Sequence, residues 1–156
     1  MKSRLFIDTN IMLDFLGERE QFYKPVAKLA TLADKRRLDL VVSPISFATV
    51  NYFLTKNETP EVAKEKLRKF KIITEICKLD EHTIEKGLNS SFNDFEDALQ
   101  YFSAVDSDCD IIITRNGKDF KESLIPIMTP NEYLNSIRKK ITAIEIRAQR
   151  SHHRRV

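Results

Sequence analysis

Glycine is scarce, with three among 156 residues, and proline is limited to five, which excludes collagen-like and Gly-rich linker architectures. Cysteine is nearly absent. Cys77 and Cys109 stand 32 positions apart with no CxxC pair, so neither a disulfide scaffold nor a thiolate metal clamp is expected. Both thiols are read as reduced and buried. No apolar run approaches the roughly 20 residues needed to cross a bilayer, so no membrane partner is expected. The opening MKSRLFIDTN meets an acid after three apolar residues. That leaves no signal-peptide core and predicts a cytoplasmic location.

What is present is one domain's worth of chain with 42% hydrophobic residues, enough for a buried core and too much for a disordered one. The net charge of +3 hides an asymmetry. Residues 138–156 carry seven cations against the single acid Glu145, a net +6, and the preceding 137 residues are therefore mildly acidic at −3. The expected organisation is a single folded domain over residues 1–137. It is followed by a basic, disordered tail over 138–156, which is either a solvated arm or a phosphate-gripping extension.

Short Ile- and Val-rich runs alternate with helical periodicity, the pattern of βαβ units around a parallel sheet. The predicted strands are Arg4–Ile7, Asp39–Val42, Ile72–Ile76, Asp110–Thr114 and Ile125–Met128, giving an α/β fold with a central parallel sheet of four or five strands. Phe22, Val26, Leu29, Ala30 and Ala33 form one helical stripe, and Ile45–Lys56 is a second helix. Thr59-Pro60 opens a third, and a short one follows Asp80. Asn93–Val105 places Phe95, Ala98, Leu99, Phe102 and Val105 on one face. Thr129-Pro130-Asn131-Glu132 is a capping box opening a helix through about Ile137.

In an open parallel sheet, groups just beyond the carboxyl ends of the strands converge on one crevice. That rule selects Asp8, Thr9 and Asn10 after the first strand, and Thr114, Arg115, Asn116, Lys118 and Asp119 after the fourth. Asp94 and Asp97, one turn apart at the start of the Asn93–Val105 helix, share a face beside its apolar stripe. Carboxylates gathered in this way repel one another unless a cation neutralises them, and oxygen-only ligands suit Mg²⁺ or Mn²⁺.

The strings FIDTNIMLDFL, SPISFATVNYFL and DFEDALQYFSAVDSDCDIIITRNGKDF resemble, in order and spacing over residues 3–135, the PIN-domain family. This is the metal-dependent ribonuclease fold that includes the VapC-type toxins of toxin–antitoxin pairs. The resemblance implies a PIN-type three-layer sandwich. It implies Asp8, Asp97 and Asp119 as catalytic acids, with Asp94 an additional metal ligand, and Asn10, Thr114 and Asn116 in supporting polar positions. RNA as substrate, an antitoxin as partner and homodimerisation are implied as well. One position departs from the pattern: Thr49 stands where these ribonucleases carry a glutamate on the helix after the second strand. Arg115 and Lys118 share a loop with Asp119 and are candidate RNA-phosphate contacts.

Plainer roles compete for the same residues. Asp8 and Asn10 are also good caps for a first helix, Asp119 for a short helix starting at Phe120, and Asp94 is a first-turn acid that the helix dipole favours. Asp14 is read as a helix-surface acid, Tyr52 and Phe53 as core or partner-interface residues, and His82 as a surface histidine. Two other functions remain open: a PIN-fold module weakened by Thr49 that binds RNA or protein, and an aspartate-nucleophile phosphatase. The latter lacks its second aspartate at Asn10.

Overall fold

The computed structural model describes residues 2–153. Five strands, β1 (Arg4–Ile7), β2 (Asp39–Val42), β3 (Thr74–Ile76), β4 (Ile111–Ile113) and β5 (Ile127–Met128), form one parallel sheet in the order β3-β2-β1-β4-β5. Leu5 pairs with Leu40 on one side and Ile111 on the other. The chain builds outward from β1 through β2 to β3, then returns to place β4 on β1's free edge. The strand order therefore reverses between β1 and β4, and the crevice beyond their carboxyl ends is where such folds place ligands.

Seven helices cover the sheet: α1 (Thr9–Leu16), α2 (Tyr23–Asp34), α3 (Pro44–Leu54), α4 (Pro60–Ile72), α5 (Glu81–Leu88), α6 (Phe95–Asp106) and α7 (Pro130–His153). Because strand side chains alternate, Leu5, Ile7, Leu40, Val42 and Ile113 face α1–α4 and the start of α7, in a core with Leu13, Leu29, Val50, Phe70 and Tyr133. Phe6, Val41 and Ile112 face the other way, onto Tyr101 and Ala104 of α6. The result is the expected three-layer sandwich. Cys77 and Cys109 are buried and free, and burial pushes the Cys109 thiol up to about 12, so it is inert at neutral pH.

Two strands are shorter than their apolar runs. Ile72 closes α4 with its side chain 79% exposed, so β3 starts only at Thr74. At the other edge Pro126 has no N–H to extend the ladder. Its carbonyl accepts from Ile112 N at 3.0 Å, and β5 begins one residue later. The capping box at Thr129 forms in both directions: Glu132 N donates to Thr129 Oγ1 at 3.2 Å, and Thr129 N donates to Glu132 Oε2 at 3.0 Å.

The largest departure is at the C-terminus. In place of a helix ending near Ile137 and a disordered arm, α7 continues to His153; Arg154 and Arg155, also assigned to the arm, lie outside the described residues. Among the described side chains of this helix only Tyr133, Leu134 and Ile137 pack on the core, and residues 138–151 are exposed. That stretch contains no glycine or proline and is rich in Arg, Lys, Ile and Ala. Nothing in it stops a helix, and the absence of a packing partner is not an absence of helix propensity.

Candidate active site

Asp8 follows β1 directly. Its extended backbone makes it the N-cap of α1, and its carboxylate serves two donors: Thr9 N at 2.8 Å on Oδ1 and the Thr114 hydroxyl at 2.8 Å on Oδ2. Capping α1 and bridging to the end of β4 thus coincide in one side chain. Thr114 follows β4, so this bond ties the two strand ends across the crevice, and Thr114 Oγ1 also accepts from Asn116 N at 3.1 Å. Burial raises the Asp8 pKa above the usual carboxylate range, against the opposing pull of Thr114 and Thr9.

Opposite Asp8 stands the N-terminus of α6. Asp94 is its N-cap, accepting from Asp97 N at 3.1 Å. Asp97 lies in the first turn, and its pKa is pushed up to about 7 by burial first, then by the negative charges of Asp94, Asp119, Asp8 and Glu96. Asp119 sits inside a 3₁₀ turn, Gly117–Phe120, so it caps nothing and projects from an exposed position. Asp94, Asp97, Asp119 and Lys118 line one pocket of about 300 Å³.

The donors are hard carboxylate oxygens, and at Asp8 and Asp97 burial and neighbouring charge disfavour the ionised form, a set that fits a divalent cation. Among the described residues no three of them converge on a single ready-made coordination point. A hydrated divalent cation such as Mg²⁺ keeps several waters and needs only one or two carboxylates, so the lack of a ready-made point does not conflict with this donor chemistry.

Beneath the acids lies a buried polar network that the sequence reading missed. Thr9 Oγ1 and Ser46 Oγ, on α1 and α3, are 2.7 Å apart, and Gln100 Nε2 of α6 donates to both at 3.1 Å. Gln100 Oε1 has no hydrogen-bond partner among the described residues. The available signal was a polar residue one turn after Asp97, on the face of α6 that also carries Ser103 and Ala104. Thr49, half-buried, is one turn beyond Ser46 on α3 and brings no charge. Glu96, also missed, has its pKa raised by partial burial and by Asp94 and Asp8, so it belongs to the same acidic field. Asn10 is half-buried in the first turn of α1.

Asp14 is not a surface acid. Its side chain is fully buried, because α1 is enclosed on nearly every side. Arg115 Nε and Nη2 hold its two oxygens at 2.7 and 3.2 Å, Arg19 Nη1 adds a contact at 3.3 Å, and the Arg115 guanidinium lies 4.0 Å over the ring of Phe22. Of the two loop cations, Lys118 therefore faces the acidic pocket while Arg115 is engaged elsewhere. Tyr52 and Phe53 are not core residues: they form an exposed edge-on pair with Lys56 Nζ over both rings. His82 is exposed, as expected.

The chain matches the family model described as PIN domain over residues 4–118. It is 27% identical over 135 residues to Ribonuclease VapC1 of Aquifex aeolicus (strain VF5), spanning 83% of this chain and 92% of that one. Among solved structures it superposes on VapBC2 from Rickettsia felis, bound to a DNA fragment from their promoter, with a TM-score of 0.60 at 18% identity, covering 81% of this chain and 98% of that one. It also superposes on Mycobacterium tuberculosis VapC20, a sarcin-ricin loop cleaving toxin, with a TM-score of 0.59 at 9% identity, covering 74% and 92%. With a parallel sheet whose strand order reverses at Asp8, acids gathered there from α6 and the β4 loop, and a family match over most of its length, the chain belongs to the PIN domain family.

Proposed function

We infer that this protein is a divalent-metal-dependent endoribonuclease of the VapC type, the toxin of a toxin–antitoxin pair, working in the cytoplasm as a homodimer with Mg²⁺ or Mn²⁺. The observation that carries this reading is the meeting of Asp8, Asp97 and Asp119, from three separate elements, at the sheet's reversal point. The named activity of the Aquifex relative, and the toxin and antitoxin in the Rickettsia structure, support it.

Asp8, Asp97 and Asp119, with Asp94 beside them, would hold the cation, which when bound supplies charge stabilisation at the phosphoryl oxygens and makes the attacking water more acidic. Thr114 and the Thr9 amide fix the Asp8 carboxylate, so its orientation is set before substrate arrives. Asp119, at the exposed rim, positions the water and takes its proton. Lys118 neutralises a backbone phosphate entering the pocket. Thr49 can orient water but adds no ligand charge, and this favours a second reading, a weakened module that binds RNA or a protein.

The test is cleavage of a mixed RNA pool with Mn²⁺ or Mg²⁺, with and without chelator, by the wild type, Asp97→Asn and Thr49→Glu. Chelator-sensitive cutting that Asp97→Asn abolishes supports the nuclease. An inert wild type alongside an active Thr49→Glu favours the second reading.

Residues 138–156 are assigned to RNA affinity and not to stability. Removing them is expected to change stability by no more than about 0.5 kcal/mol, because their described side chains are exposed. RNA affinity should fall, and its dependence on salt should become shallower as phosphate contacts are lost. Paired melting curves and RNA titrations at two salt concentrations read both effects.

A further inference from the structure

Across the Thr114-Arg115-Asn116 segment from the acidic pocket lies a second crevice, of about 370 Å³. Ile11, Pro25, Val26 and Phe22 give it apolar walls, and Arg115 forms part of its lining. The state of that arginine is informative. Asp14 engages Nε and Nη2, along one edge of the guanidinium, and Phe22 covers one of its faces. A guanidinium held on one edge and backed on one face cannot swing toward a passing phosphate. Its side chain is about one-quarter exposed and lines the crevice, so the face that Phe22 does not cover is the one a flat partner would use.

Three carboxamides complete the lining: Gln21 from the α1–α2 connection, Asn116 after β4 and Asn131 in the first turn of α7. None of the three side chains has a hydrogen-bond partner among the described residues. Each carries two donor hydrogens and one acceptor oxygen, the complement of the mixed donor and acceptor edge of a nucleobase, whereas a phosphate would call for donors alone. Flat cationic planes are established stacking surfaces for unpaired RNA bases.

We propose that this crevice is a nucleobase subsite, in which one unpaired base of the RNA stacks on Arg115 and is read along its edge by Gln21, Asn116 and Asn131, so that base identity selects the bond presented to the adjacent acids. This rests on the ribonuclease reading above. The backbone links the two pockets: Asn116 donates its N–H to the Thr114 hydroxyl, which in turn donates to Asp8.

The binding arm uses full-length Asp97→Asn protein, titrated with the four nucleosides, their 5′-monophosphates and inorganic phosphate, while the side-chain amide signals of Gln21, Asn116 and Asn131 and the Arg115 Nε–H signal are followed by NMR. At least one nucleoside should shift these signals saturably, and Gln21→Leu or Asn131→Leu should weaken it roughly three- to tenfold, the worth of one hydrogen bond. No shift with any nucleoside at 10-fold molar excess and above, or equal shifts with inorganic phosphate alone, overturns the subsite. In the cleavage arm, Gln21→Leu and Asn131→Leu in the wild-type background should spread cutting over more base contexts at one position near the cut. An unchanged cut-site distribution also overturns the subsite. Absence of chelator-sensitive cutting by the wild type would overturn the ribonuclease reading instead, and the nucleoside titration is independent of it.

Discussion

Replacing Asp8 with asparagine is expected to reduce metal-dependent RNA cleavage by more than about a hundredfold, since loss of even the groups that orient metal ligands costs 10- to 100-fold. The fold should survive, because asparagine is as good an N-cap as aspartate and its oxygen can still accept from Thr9 N. What disappears is a charge at the carboxyl end of the central strand. That charge is costly in the metal-free protein, since burial raises the Asp8 pKa above its unfolded value and folding therefore disfavours the ionised form at neutral pH. The metal-free melting temperature of Asp8→Asn should accordingly equal or exceed that of the wild type. The gain on adding Mn²⁺, about 2.7 kcal/mol at a hundred times its Kd for the wild type, should be clearly smaller for Asp8→Asn at the same Mn²⁺ concentration. Calorimetric melting with and without Mn²⁺, beside the cleavage assay, separates these effects. A variant that melts lower without metal, or keeps its full Mn²⁺ gain, would show that Asp8 is a cap and nothing more.

Asp14→Ala is expected to be strongly destabilising, on the scale of truncating a large core side chain. Asp14 is fully buried and holds two arginines, one of which also packs on Phe22. Removing one member of a buried pair costs about 3–5 kcal/mol, and because the arginine partners retain partial access to water, about 3 kcal/mol is the better figure here. For a domain of this size that is a melting-temperature fall of roughly 6–12 °C. Asp14→Asn, which keeps the shape, should recover only part of it. A loss under about 1 kcal/mol in chemical denaturation would mean that Arg115 and Arg19 find equivalent partners elsewhere.

These residues also mark where the amino-acid string could be read and where it could not. The β1 and β2 boundaries, the helix caps at Asp80, Thr59 and Thr129 and the closeness of Asp8, Asp94 and Asp119 to Asp97 were legible because each depends on local chemistry or on the rule that strand ends converge. Asp14 was not. Its burial follows from enclosure of an eight-residue helix by the α2 and α3 layers, and a polar residue between Leu13 and Phe15 carries no mark of that. Gln100 was hidden for a similar reason: its partners Thr9 and Ser46 lie 91 and 54 positions away. The tail misled in the opposite sense, since composition alone equates dense charge with disorder, whereas the backbone follows propensity wherever no breaker intervenes.

The reach of α7 has a practical consequence for measuring mass in solution. From Arg138 to His153 the helix advances about 1.5 Å per residue, extending roughly 24 Å past its last core contact, about the width of a small domain. A particle with such a spar tumbles and diffuses as though heavier than it is. Gel filtration calibrated with spherical standards would therefore overstate its mass and could make one copy pass for two. Light scattering or sedimentation, which separate mass from friction, are the measurements that can count the subunits.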